Sequence, residues 1–214
     1  MPTRSQTTSR RAAKRENNRK RILAAAERLF YEKGFSPTPL REIIRESGLS
    51  TTVFYSFFPS KLNLLVELIL PLGEEINRKL NAAFKNPADE DDPIEKAIHI
   101  ALQVYARHRR LTKIYVSETA AQNLHSRGPL RRVMDSLKEL VTSQLRIGVA
   151  KGYFIPVDPV IFAYSFIAMI NMHLYRWAVL GELSRKEMLA GAGALAQVFR
   201  SGVAQGVRRE LPLQ

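Results

Sequence analysis

Apolar residues recur at three- and four-residue steps along most of the chain, and no alternating run is long enough to argue for a sheet, so the pattern predicts an all-α protein. Ile22, Ala25, Ala26, Leu29 and Phe30 make one face of a first helix that Gly34 closes. Thr38 and Pro39 open a short second helix, the threonine as its cap and the proline in its first turn, with Leu40, Ile43 and Ile44 inward. Gly48 ends that helix. Ser50 caps a third, to which Val53, Phe54 and Phe58 give an apolar side.

Beyond Ser60 a longer amphipathic helix carries Leu62, Leu65, Leu68, Ile69, Leu72, Ile76, Leu80 and Phe84, with a bend expected at Pro71 and Gly73. An acidic connection through Asp89 to Asp92 leads into Asp92-Pro93-Ile94-Glu95, where a cap, a first-turn proline and a third-position glutamate mark a helix start. Further helices are expected from Pro93 to about Arg110, Leu111 to about Asn123, Pro129 to about Lys151 and from Asp158-Pro159 onward, and Ser184 to Glu187 forms a capping box for the last. The apolar run from Val160 to Leu180 is interrupted by Asn171, His173 and Arg176, which predicts a helix buried in protein and no membrane span. Three regions result: an arm over 1–17, a three-helix head over 18–61, and a larger helical domain over 62–214.

Two short helices joined by a glycine corner read as a helix-turn-helix, whose second helix enters a DNA major groove. Once Phe54 and Phe58 turn inward, Thr51, Thr52, Ser56 and Phe57 are left to approach base edges, with Val53 close by and Ser50 at the helix mouth. No Arg, Asn or Gln lies between Ser50 and Phe58, so specificity leans on Arg41, the N-terminal arm or DNA shape. Thr38, Tyr55 and Lys61 suit contacts to phosphates.

Charge strengthens this reading. The net charge is +13 on 214 residues, and residues 1–21 hold eight cations against Glu16 alone. A polyanion is the expected partner, with the arm either solvated and disordered or laid along phosphates or a minor groove. The chain has no cysteine, which excludes disulfides and thiolate metal sites and suits a reducing cytoplasm. No apolar run precedes Ile22, so an ordinary signal peptide is not expected.

The segment from Arg19 to Leu65, about a fifth of the chain, resembles the DNA-binding domain of the TetR family of transcriptional regulators. The resemblance rests on Ile22-Leu23, Ala25-Ala26, Leu29-Phe30, Gly34-Phe35, Thr38, Ile43, Gly48-Leu49-Ser50, Tyr55 with Phe58, and Ser60-Lys61 with Leu64-Leu65. It implies a homodimer with two DNA-binding heads, a second domain that holds a small, largely apolar effector, and release from a palindromic operator when that effector binds. It also assigns Tyr55 and Lys61 to phosphates, Thr38 to a cap that meets the backbone, and Thr51, Thr52 and Val53 to reading bases. Thr52 stands where the family usually has a small residue and Val53 where a hydroxyl is common, which leaves the operator sequence open.

In the larger domain Tyr105, Tyr115, Met134, Leu137, Phe166, Met169, His173 and Trp177 are candidates to line an effector cavity, with Glu118 and Asn171 as polar contacts. A stripe of this kind is more often core than pocket. Ala190-Gly191-Ala192-Gly193-Ala194 predicts close approach by another helix, and with the helix from Asp158 it predicts a dimer interface. His99, His108, His125 and His173 have no metal-ligand spacing, and no phosphate loop or nucleophile elbow occurs, so neither catalysis nor a cofactor is expected. An effector-independent architectural DNA-binding protein is the alternative.

Overall fold

The computed structural model describes residues 4–83, 92–120, 129–150, 152 and 155–203. Within them the protein is all helix: α1 (Arg4–Lys33), α2 (Leu40–Ser47), α3 (Thr51–Tyr55), α4 (Lys61–Ala83), α5 (Pro93–Arg107), α6 (Arg109–Ala120), α7 (Pro129–Ala150), α8 (Pro159–Tyr175), a π-helical turn over Arg176–Leu180, α9 (Arg185–Ala190) and α10 (Ala192–Val203). Most of the acidic connection before Asp92, Phe84, Asn123 and His125 lie outside the described residues. No helix among those described is long and apolar enough to cross a membrane.

The head forms because α1, α2 and α3 each have one apolar face, which they cover with each other and with α4. Ile22, Ala26, Phe30, Ile43, Phe54 and Phe58 are buried together. Phe54 and Phe58 lie 5.9 Å apart, one turn from each other. The body packs α4 against α5 and α7, α8 against α6 and α7, and α10 against α5. Asp92 and Asp158 cap α5 and α8 through backbone N–H groups, and Ser184 with Glu187 completes the capping box of α9.

Three expectations need correction. The arm over 1–17 is not unstructured where described: α1 begins at Arg4 and runs unbroken into the head. Its sequence lacks apolar periodicity but is rich in helix formers, and extending an existing helix adds one hydrogen bond per residue ordered. Thr38 does not cap α2; Pro39 occupies the cap position without a side-chain bond. The glycines after Ala190 are already used within the chain, since a Cβ on Gly191 would sit 2.6 Å from the His173 ring and one on Gly193 would sit 3.2 Å from Glu95. Gly191 also divides the expected last helix into α9 and α10.

Candidate nucleic-acid interface and effector cavity

α2 stops because Gly48 adopts a left-handed conformation, φ 63°, and its N–H closes onto the Arg45 carbonyl. The Arg21 guanidinium donates to the Gly48 carbonyl at 3.2 Å, tying α1 to this corner. Ser50 then restarts the chain, its hydroxyl oxygen accepting from the Val53 N–H at 3.3 Å. Backbone bonds from Phe57 and Phe58 to the Phe54 carbonyl carry the turn past the end of α3. The aromatic ring of Phe54 is the anchor, wholly buried, and it sets which way the remaining side chains point.

Thr51, Thr52 and Ser56 therefore face solvent. The Thr51 and Thr52 hydroxyls have no partner among the described residues, whereas the Ser56 hydroxyl donates to the Val53 carbonyl at 2.7 Å and keeps its lone pairs free. Val53 is half-buried beside them. Tyr55, 53% exposed, stands edge-on to Phe54 and presents its hydroxyl outward. Arg41 is exposed on α2. Phe57 is half-buried, with the Arg15 guanidinium 5.6 Å above its ring. Sequence reasoning missed Arg15 and Arg21, because both act across helices and carry no local signal.

Two candidates face inward. Thr38 is fully buried, and its hydroxyl donates to the Gly34 carbonyl at 2.6 Å, so it braces the turn between α1 and α2 and cannot reach DNA. The Lys61 ammonium donates to the carbonyls of Phe35 and Thr38 at 2.8 Å and of Ser36 at 3.4 Å, and lies 4.3 Å from the Phe35 ring. All three of its protons are engaged. Burial lowers the Lys61 pKa from its ordinary value, partly offset by the Glu118 carboxylate. Lys61 thus clamps the same turn in this structure.

The body holds a cavity of about 200 Å³ between α4, α5, α6 and α7. Leu72, Gly73, Tyr105, Tyr115, Leu137 and Leu140 line it, with Glu74, Asn77 and Ser136 as the polar part of its wall. The Tyr105 and Tyr115 rings stack at 5.9 Å. The buried Tyr115 hydroxyl has no partner in hydrogen-bond geometry, although Asn171, Thr119 and Tyr105 surround it, and burial pushes its pKa up to about 12. Burial raises the Tyr105 pKa as well.

Of the expected lining set, only Tyr105, Tyr115 and Leu137 meet at this cavity. Phe166 packs 4.6 Å from Phe199, the His173 imidazole is hydrogen-bonded to the Met188 carbonyl at 2.9 Å, and Trp177 lies beneath Arg109 at 5.6 Å. Met134 and Glu118 are buried elsewhere and Met169 packs on the core. Phe166, His173 and Trp177 are thus taken up by α10, α9 and α6, and none of them lines the cavity between α4 and α7. Among the described residues no cluster of side chains could hold a metal ion.

Head and body meet along α1, α4 and α6. Tyr31 of α1 meets two cations of α6, Arg110 at 5.5 Å and Lys113 at 4.6 Å from its ring, and Arg19 pairs with Glu67 of α4. Lys113 is two residues from Tyr115, so one helix touches both the head and the cavity.

Residues 22–68 match the family described as bacterial regulatory proteins, tetR family, and residues 87–196 match the tetracyclin repressor-like C-terminal domain. The chain is 21% identical over 175 residues to the HTH-type transcriptional regulator YhgD of Bacillus subtilis, covering 82% of this chain and 92% of that one. It is 33% identical over 114 residues to the transcriptional regulator EthR of Mycolicibacterium smegmatis, about half of each chain at 50% and 52%. A TetR-family regulator from Syntrophomonas wolfei superposes with a TM-score of 0.76 at 25% identity, over 87% of this chain and 96% of the other. Bacillus subtilis FadR, solved in complex with stearoyl-CoA, shares the fold with a TM-score of 0.69 at 15% identity, over 85% and 97%. With more than half of its length matched by the second family and its head by the first, this chain belongs to the TetR family of bacterial transcriptional regulators.

Proposed function

We propose that the protein is a repressor that holds a palindromic operator as a homodimer and leaves it when a small, largely apolar effector enters the α4–α7 cavity. The observation that carries the DNA half is the outward-facing set Thr51, Thr52 and Ser56, held rigid by buried Phe54 and flanked by exposed Tyr55 and Arg41. Threonine methyls meet thymine methyls, hydroxyls meet bases, and the tyrosine hydroxyl meets a phosphate. Arg41 contributes charge from α2 and Ser50 closes the N-terminus of the reading helix. Such a protein works in the cytoplasm, where DNA is accessible.

Dimerisation is supported by apolar side chains left in solvent on the outer face of α8 and α10. Ile161 is 68% exposed, Met172 60% and Val198 60%, with Tyr164 between the first two along α8. A second copy related by a two-fold axis would bury this face and set the separation of the two heads. The effector half rests on the cavity, whose wall joins leucines and the buried Tyr105 and Tyr115 to a few polar side chains, and on its continuity with the head through α6. The related FadR was solved with stearoyl-CoA; the cavity here is below the range of roughly 300–1,000 Å³ usual for such sites, so it suits a ligand of smaller bulk or widens on binding.

The test is selection of duplexes from a random pool by the full chain, followed by a screen for compounds that dissociate the selected complex. Tyr55→Phe should weaken all duplexes about equally, whereas Thr51→Ala should alter preference at particular base pairs. A selected complex that no small molecule dissociates, in a protein whose cavity binds nothing, would return the alternative of an architectural DNA-binding protein.

A further inference from the structure

We propose that the N-terminal part of α1 is a rigid second DNA-binding element, a basic helix that extends beyond the head along the phosphate backbone next to the site read by α3. This rests on the DNA-binding reading above and adds a contact surface to it.

Two contacts orient the helix. Arg21 touches the Gly48 carbonyl at the corner before α3, and Arg15 lies over Phe57 just after it. Moving from Arg21 back to Arg15, α1 therefore passes along the full length of the recognition turn. At about 100° per residue, Arg10, Arg11, Lys14 and Arg15 fall with Arg21 in an arc of roughly 140°. The cations thus continue, past α3, the side of α1 that faces it. Glu16 and Lys20 occupy the opposite side, where they pair with each other at 3.8 Å.

Arg10, Arg11 and Lys14 are exposed and make no ion pair or hydrogen bond among the described residues. Arg10 lies roughly 16 Å along the helix axis from Arg21, well outside the packed head. A helix that only completed the head core would end near Arg19, where the apolar face stops and the pair with Glu67 anchors it. Three unpaired cations held on one side, next to an exposed reading helix, match the regular anionic surface of duplex backbone, which needs charge at fixed positions and no base recognition. The extension would therefore add affinity without adding sequence preference, and would engage DNA flanking the half-site.

The experiment measures binding of the full chain to its selected duplex, with generous flanks, over a range of salt. Replacing Arg10→Gln, Arg11→Gln and Lys14→Gln together should make the slope of log affinity against log salt shallower by about two to three, near 0.9 per phosphate contact, with base preference unchanged. Ala13→Pro keeps every charge but breaks the helix, and should remove most of the same increment. On a duplex trimmed flush with the half-sites, wild type and triple variant should converge. An unchanged slope in the triple variant would overturn the proposal, as would a full slope in Ala13→Pro, which would make these cations a flexible arm. Loss of binding to phosphatidylserine vesicles with duplex binding untouched would assign the face to a lipid surface instead. Failure of wild type to bind any duplex would overturn the DNA-binding reading itself, an outcome distinct from these.

Discussion

In the head, each residue that packs inward leaves a polar neighbour facing out. Phe54 and Phe58 are buried while Thr51, Thr52 and Ser56, on the same turns, are in solvent. In the body the most conspicuous aromatic stripe, Phe166 to Trp177, packs against α10, α9 and α6, and the cavity found among the described residues is lined from other helices. The difference is one of sequence distance. A recognition turn is set by residues within a few positions of each other, whereas a cavity is the volume that distant helices fail to fill.

The comparison breaks most visibly at Phe54. Phe54→Ala removes a fully buried ring and should destabilise the head by about 3–5 kcal/mol, abolishing DNA binding while the body stays folded. Hydrogen exchange resolved by segment checks this, with protection lost in α1 to α3 and kept in α5 to α10. Uniform loss across the chain would mean the head has no independent core.

Gly191→Ala probes the body in the same way. The new methyl meets the His173 ring and should force it off the Met188 carbonyl, costing about 1–3 kcal/mol despite the better helix propensity of alanine. Thermal or urea unfolding of Gly191→Ala, His173→Ala and the double variant should show the cost largely relieved when the ring is gone. Additive losses would contradict the packing role assigned to this glycine.

Tyr115→Phe sharpens the contrast between core and cavity. Removing a buried hydroxyl that lacks a well-formed hydrogen bond should raise the stability of the effector-free protein by about 1 kcal/mol, read from urea midpoints. A loss of stability would mean that Asn171, Thr119 or Tyr105 does hold the hydroxyl.

The smallest effect is expected at the joint between α4 and the α5–α6 corner. Glu75 is paired with His108 and Arg107, each at 2.9 Å. Burial pushes its carboxyl pKa up, but the His108 hydrogen bond and the charges of His108, Arg107 and Lys79 outweigh that and hold it below 4.5. A pKa depressed by folding contributes stability that is present above about pH 4.5 and is lost as the pH falls through the lower folded value. Wild type should accordingly lose stability over this interval more steeply than Glu75→Gln, in unfolding followed as a function of pH.

Local chemistry explains what could be read without coordinates. Gly48, Ser50 and the Asp92, Asp158 and Ser184 caps act within three or four residues, and each occupies its expected place. Thr38 and Lys61 were legible as part of the head but not in orientation, because hydroxyl and ammonium groups serve carbonyls or phosphates equally well until the turn between α1 and α2 is built. The helical extension of α1 was hidden for another reason: a solvent-exposed helix needs no apolar stripe when it continues one that has it. Arg15, Arg21, Tyr31 and Lys113 carry contacts between helices far apart in sequence, for which spacing offers no signal.

The most direct test of the central claim, that α3 is the base-reading surface, is the affinity of wild type and Thr51→Ala for the selected duplex and for a panel carrying each single base-pair change, at one fixed salt concentration. Thr51→Ala should lose discrimination at one or two adjacent base pairs while its affinity for unrelated duplex stays within about twofold. Unchanged discrimination at every position, or an equal loss of affinity for specific and unrelated duplex, would contradict it.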